Sequence, residues 1–175
     1  MSAPILVLRR TLEMRPQSVA SKELALRTAT LDDLDGWLQL RVAAVVELQP
    51  KPGAWGAAEA RRELFPAEER QTARTWLAMV AKTTENDEPR DENLAGSVTL
   101  LIGRAGCSVT ARVHWLLVHP DFRRRGIATL LMTNLEQACW DAGIRQLSLE
   151  THRNWTAAVA FYRSLGYVPV QGARK

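Results

Sequence analysis

The residues best suited to chemistry lie at one junction, Val118-His119-Pro120-Asp121-Phe122-Arg123-Arg124-Arg125-Gly126-Ile127-Ala128-Thr129-Leu130-Leu131. An apolar run ends there, passes through three arginines and a glycine, and enters a helical pattern without a spacer. Such a turn gathers backbone N–H groups at the positive end of a helix dipole, which makes a cradle for a phosphate or pyrophosphate. Gly126 lets the backbone approach an anion closely, and Ala128 keeps the second helical position small. No Gly-Lys-Ser/Thr follows, so the turn is not a nucleotide-binding P-loop, and it lacks the three glycines of a dinucleotide fingerprint. The same pattern also suits an ordinary strand–helix junction with solvated arginines.

Arg123-x-x-Gly126-x-Ala128, preceded by Val118-x-Pro120, resembles the acetyl-CoA signature of the GNAT superfamily of N-acetyltransferases, Arg/Gln-x-x-Gly-x-Gly/Ala. Downstream, Ala157-Ala158-Val159-Ala160-Phe161-Tyr162-Arg163-Ser164-Leu165-Gly166-Tyr167 resembles the second CoA-side motif of that family, a short helix carrying Tyr and followed by Gly-Phe/Tyr. The resemblance covers residues 93–170 and extends over 22–92. It implies an α/β GNAT fold, with a central mixed, mostly antiparallel sheet flanked by helices and splayed between its two central strands. It implies acetyl-CoA as co-substrate, no metal, and direct attack by a primary amine without an acyl-enzyme. Pantetheine would lie in the splay against backbone groups of Leu116 and Val118, with the N–H of Leu117 as oxyanion donor. Main-chain N–H groups from Arg124 through Gly126, Ile127 and Ala128 to Thr129 would take the pyrophosphate, and the side chains of Arg123, Arg124 and Arg125 would attract it. Tyr162 would protonate the CoA sulfur, and Phe161 would pack in the core or against CoA. Leu116–Val118 are equally plain core strand residues, since contacts of this kind are made by the backbone.

An amine acceptor must also lose a proton. His114 precedes Val118 by four positions, so regular strand alternation puts it on the face of Leu116 and Val118. Its imidazole, with an ordinary pKa of about 6.5, suits the task; the residue reads equally well as a partly buried histidine satisfied by hydrogen bonds. Glu150, at the end of the next strand, is the rival base. His119 reads as structural and His152 as a loop residue. The family often carries Asn seven residues before the Tyr, where this chain has Trp155. Asn154 comes one position early, so either a shifted loop still brings it to pantetheine or that contact is lost.

The chain has 175 residues and a net charge of +4. That length predicts one domain able to bury a core without disulfides or metals, taken as residues 22–175 behind an N-terminal extension over 1–21. Cys107 and Cys139 form neither a metal-ligand spacing nor a redox pair, and Cys139 falls on the apolar stripe of a helix. No stretch has the length of a transmembrane helix and the start does not read as a signal sequence, so a cytoplasmic enzyme is the expectation. Residues 104–125 hold five basic side chains against one acidic, and 153–175 hold four against none. These basic blocks surround the two CoA-like motifs, as a ligand with several phosphates requires. Basic charge is not joined to exposed aromatics or a known module, so nucleic acid is not the expected partner.

The elements that must position these residues are read from periodicity. Leu24–Arg27 reads as a strand; Thr30 and Asp33 as a capping box before a helix over about 31–48; and 57–64 as a second helix. Pro66 in a first turn predicts a third helix running to Lys82, and residues 83–93 a loop. Leu94–Ile102 and Val109–Val118 read as antiparallel strands, 127–139 as a helix stopped by Gly143, Leu147 and Leu149 as strand positions, 156–164 as a helix, and 167–170 as a last strand. The family usually adds one more strand after this point. Residues 4–12, or a strand from a partner subunit in a homodimer, would then have to cover the exposed sheet edge.

The acceptor is expected to be a small amine or a peptide amine, met by residues 45–65 with Trp55 and by the 83–93 loop. Residues 28–103 hold thirteen acidic side chains against eight basic. This balance suits a cationic acceptor, and equally a solvated surface. Two other readings stay open: a catalytically silent acyl-CoA-binding regulatory domain, and an RNA-directed member acting on aminoacyl-tRNA.

Overall fold

A computed structural model describes residues 4–17, 24–46, 55–67, 71–81, 92–105 and 108–170. Its strands are β1 (Ile5–Thr11), β2 (Leu24–Thr28), β3 (Gln71–Ala81), β4 (Glu92–Ala105), β5 (Ser108–Val118), β6 (Gln146–His152) and β7 (Val168–Pro169). Its helices are α1 (Leu34–Val45), α2 (Ala57–Leu64), α3 (Ile127–Asp141) and α4 (Thr156–Ser164). The strands form one sheet in the order β2-β3-β4-β5-β6-β1-β7, with β5 and β6 parallel and every other pair antiparallel. This is the mixed, mostly antiparallel sheet flanked by helices that the resemblance implies. The 83–93 loop lies largely outside the described residues, as does Cys107.

A separate hydrophobic core lies on each face of the sheet. Leu131, Met132, Leu135 and Cys139 of α3 pack over one face, joined there by Phe161 and Tyr162 of α4. Trp37, Leu40 and Ala44 of α1 pack over the other with Ala60 and Leu64 of α2. Asp33 starts α1 by accepting the Thr30 N–H at 2.8 Å and two guanidinium bonds from Arg27. Gly143 (φ 76°) ends α3 in the left-handed region. Burial pushes the Cys139 thiol up to about 12, with Glu136 adding to the effect, so this cysteine is an inert core residue.

One helix expected from the sequence is a strand. Residues 66–82 read as helix because Pro66 suits a first turn, yet Gln71–Ala81 forms β3 between β2 and β4. Trp76 and Ala78 pack into the α3-side core, whereas Leu77 and Met79 pack into the α1-side core. A strand covered on both faces loses the polar alternation that marks a half-exposed one, and a continuous apolar run cannot be told from a helix by periodicity.

The N-terminal segment covers a sheet edge, the first of the two expected solutions. Ile5–Thr11, inside the segment read as an extension, pairs with β6 along its whole length and with β7 on its other side. Leu8 and Leu12 are buried in the α3-side core.

Candidate active site

The central feature is the parting of β5 from β6. They pair only at Arg112↔Ser148 and Val113↔Leu149; beyond that β6 stays with β1 as far as Ile5↔His152, and β5 leaves. A cleft of about 1010 Å³ opens there, and α3 begins at its mouth.

At that mouth Arg124 (φ 65°) and Gly126 (φ 75°) both adopt left-handed backbone, which turns the chain abruptly from β5 into α3. A Cβ added to Gly126 would meet no atom within 4 Å, so the glycine is required by its backbone angle and the space above it is open. The first N–H groups of a helix have no partner within it, and those of Ile127, Ala128 and Thr129 border the cleft. Arg123 and Arg124 also line it, and Arg123 Nη2 donates to the Ala44 carbonyl (3.1 Å), binding the end of α1 to the cradle. Arg125 does not line it; its guanidinium lies over the Phe122 ring, 5.3 Å from the centroid.

Strand β5 carries a bulge opposite β4, with Ser97↔Leu117 and Thr99↔His114 as successive pairs, so Val98 faces two residues. Trp115 sits in it with φ 50°, a conformation that costs a non-glycine residue about 1–2 kcal/mol. The extra residue reverses the side-chain parity. Val113 on one side of the bulge and Leu116 and Val118 on the other face the α3-side core, whereas Trp115 and Leu117 face the α1 side. His114 therefore does not share the face of Leu116 and Val118 as regular alternation predicts; it alternates from Val113 and so lies on the α1 side, within the field of Glu63 on α2. It still lines the cleft, as do Leu116, Leu117 and Val118.

Main-chain direction is reversed in the same way. The His119 N–H bonds the Ala95 carbonyl at 2.8 Å, and alternation from that pair makes Leu117 and Ser97 a hydrogen-bonded pair too. Leu117 thus turns its N–H toward β4 and away from the cleft, contrary to the oxyanion role expected of it. Leu116 and Val118 turn theirs toward the parted side.

Tyr162 and Phe161 of α4 form another wall, and burial pushes the Tyr162 phenol up, so it is protonated at neutral pH. Burial, with Arg112 adding to it, holds the His114 imidazole below its ordinary value; Glu63 and Glu150 oppose the shift more weakly. His114 is accordingly neutral at pH 7. Glu150 is an exposed residue on the cleft wall. Asn154 is exposed and does not line the cleft; Trp155 does, its ring tilted against that of His152 at 4.5 Å between centroids. His119 accepts the Asp121 N–H through Nδ1 (3.3 Å), a turn contact.

Among the cleft residues given no role from the sequence are Arg41, Trp115 and Trp155. Arg41 is 6% exposed, with its guanidinium 4.0 Å from the Trp55 centroid and 5.6 Å from that of Trp115. A charged residue on the apolar stripe of α1 was the available signal for it. Among the described residues no group of three or more His, Cys, Asp or Glu side chains could hold a metal, and no helix is long and apolar enough to cross a membrane.

A strand parting beside a helix-capped N–H cradle is an arrangement with known relatives. Residues 42–167 match the acetyltransferase (GNAT) family. The chain belongs to that family. Over 52 residues it is 38% identical to the [ribosomal protein bS18]-alanine N-acetyltransferase of Salmonella typhimurium, an alignment covering 30% of this chain and about a third (35%) of the relative. Among solved structures, a tandem GNAT protein from the clavulanic acid biosynthesis pathway superposes with a TM-score of 0.69 at 17% identity, covering 95% of this chain and 50% of that one. A possible acetyltransferase from Clostridium difficile 630 superposes with a TM-score of 0.67 at 16% identity, covering 88% and 96%. At these identities the structures speak for the GNAT fold alone, and the family match marks the chain as an acyltransferase.

Proposed function

We propose that this GNAT acetyltransferase moves an acetyl group from acetyl-CoA to a primary amine by direct attack. The observation that carries the reading is the parting of β5 from β6 immediately before the Arg124–Thr129 turn, which joins an unpaired strand edge and an anion cradle in one cleft. These residues suit CoA: an extended amide chain can add to the strand edge at Leu116 and Val118, and a pyrophosphate can sit on the N–H groups of Gly126 to Thr129. Arg123 and Arg124 add positive charge. When bound, acetyl-CoA supplies an acyl carbon already activated by a thiolate leaving group.

The chain's own residues do the rest. The Leu116 N–H, turned into the cleft, takes the oxyanion role in place of Leu117. His114, kept neutral by its burial, receives the proton as the C–N bond forms. Glu150 is the second candidate for that proton. Tyr162, kept protonated, gives its hydroxyl proton to the sulfur as the C–S bond breaks.

The test is CoA-thiol release and product mass with the full chain, acetyl-CoA, and a panel of alkyl amines, polyamines and peptides. A peptide with N-terminal alanine belongs in the panel because the Salmonella relative is named for a protein alanine. Acceptor-dependent release, lowered roughly 10²-fold in Tyr162→Phe with acetyl-CoA binding retained, is the expected result. Tight CoA binding without release for any amine would instead favour a silent acyl-CoA-binding domain.

A further inference from the structure

The backbone peptide that joins Trp115 to Leu116 is held by a buried chain of hydrogen bonds that no part of the proposed chemistry requires for binding CoA. Trp37 Nε1 on α1 donates to Ser97 Oγ at 3.1 Å, and Ser97 Oγ donates to the Trp115 carbonyl oxygen at 3.1 Å. Trp37 and Ser97 are both fully buried. The indole N–H is a donor only, so the hydroxyl must accept from it and has its single proton left for the carbonyl. The direction of the chain is therefore fixed.

This peptide is trans, and in a trans peptide the C=O and the N–H point in opposite directions. Pulling the Trp115 carbonyl toward Ser97 on β4 drives the Leu116 N–H the other way, into the cleft. That tie helps to offset the left-handed conformation of Trp115, which a tryptophan does not favour by itself. The indole of Trp115 is held by donation to Glu63 Oε2 (3.0 Å) and by the Trp55 and Trp37 rings, at 5.1 and 5.5 Å.

We propose that Ser97 is a positioning residue: its hydroxyl, oriented by Trp37, sets the peptide plane that presents the Leu116 N–H to the acyl oxygen. The inference rests on the acetyl-CoA reading above. It concerns the acyl group alone, which acetyl-CoA has and CoA lacks, and this separates it from general support of the fold.

The experiment measures affinity of the full chain for acetyl-CoA and for CoA by calorimetry, together with the infrared carbonyl stretch of bound acetyl-CoA labelled with ¹³C at the acyl carbon. The native chain should prefer acetyl-CoA and lower the carbonyl frequency on binding, as a hydrogen bond to the acyl oxygen requires. Ser97→Ala should cut that preference by about 3- to 10-fold, the worth of one hydrogen bond. It should move the carbonyl frequency back toward its value in water while leaving CoA affinity unchanged. Ser97→Thr, which keeps a hydroxyl, should restore both. Trp37→Phe, which removes the orienting donor, should act in the same direction and serves if Ser97→Ala does not fold. Equal loss of CoA and acetyl-CoA affinity, or an unmoved carbonyl band in these variants, would overturn the positioning role and leave the acetyl-CoA reading standing. A native chain that binds neither ligand would overturn both.

Discussion

Arg10 Nη1 donates to both carboxylate oxygens of Glu136, at 2.7 and 2.8 Å, and so ties β1 to α3, the helix that starts at the mouth of the cleft. The Tyr167 hydroxyl donates to the same carboxylate at 3.1 Å, and the Arg10 guanidinium lies over the Tyr167 ring. The side chain of Glu136 is 4% exposed and that of Arg10 26%. Burial raises the Glu136 pKa in spite of Arg10 and Tyr167.

Arg10→Met should destabilise the chain by about 2–4 kcal/mol, since it leaves a buried carboxylate without its counter-charge. The carboxyl pKa then rises further, so the deficit is present above that raised value and shrinks as pH falls and the group is neutralised. Urea unfolding at pH 7 and pH 5 would check this. Adding Glu136→Gln should recover much of the loss; a double variant as unstable as the sum of the singles would show the two residues to be uncoupled.

Gly126→Ala should cost about 1–2 kcal/mol through its left-handed backbone. It should weaken CoA more than tenfold, because the new methyl enters open space above the cradle and not the protein. Thermal unfolding reads the first effect and calorimetry with CoA the second. Unchanged CoA affinity would remove the pyrophosphate from this turn.

If His114 is the base, the acid limb of the kcat/KM profile should fall below pH 6.5, since its pKa is lowered chiefly by burial. Activity should rise with pH through that limb as the imidazole loses its proton. His114→Ala should abolish the limb and lower kcat roughly 10²-fold. A limb that survives in His114→Ala and disappears in Glu150→Gln would give the role to Glu150.

The hydrogen bond from Arg27 is the main cause that holds the Asp33 carboxyl at about 2 in the folded chain. A depressed carboxyl pKa adds stability that is fully present above the ordinary value of 3.8 and is lost as pH falls through about 2. Arg27→Gln should move the carboxyl back toward 3.8 and flatten the acid side of the stability curve. Carbon-detected NMR titration of Asp33 measures this directly; a pKa unmoved by the substitution would assign the shift to the Thr30 cap.

The parts of the site that were legible in advance are those whose cause is local. Gly126 at the end of a run of arginines and at the start of a helical pattern specifies a turn by the conformational freedom of one residue. The α4 pattern at 156–164 and the stop at Gly143 follow from side-chain spacing and a left-handed glycine in the same way. The alternation of Leu147 and Leu149 on β6 was readable because one face of that strand is solvated. Residues 71–81 were not, because helices cover both faces of β3 and the polar marks of a strand are absent.

The sequence by itself determined the glycine turn into α3, the place of Tyr162 on a short helix, and a strand leading into the turn, since each depends on residues close together in the chain. Only the tertiary structure decided which face of β5 each residue occupies. A bulge arises from pairing with β4, and one unpaired residue reverses everything on one side of it. That single insertion put His114 on the α1 side, turned Leu117 toward Ser97 and gave the cleft to the Leu116 N–H. Periodicity along one strand cannot register such a shift, because its cause lies in pairing with the neighbouring strand.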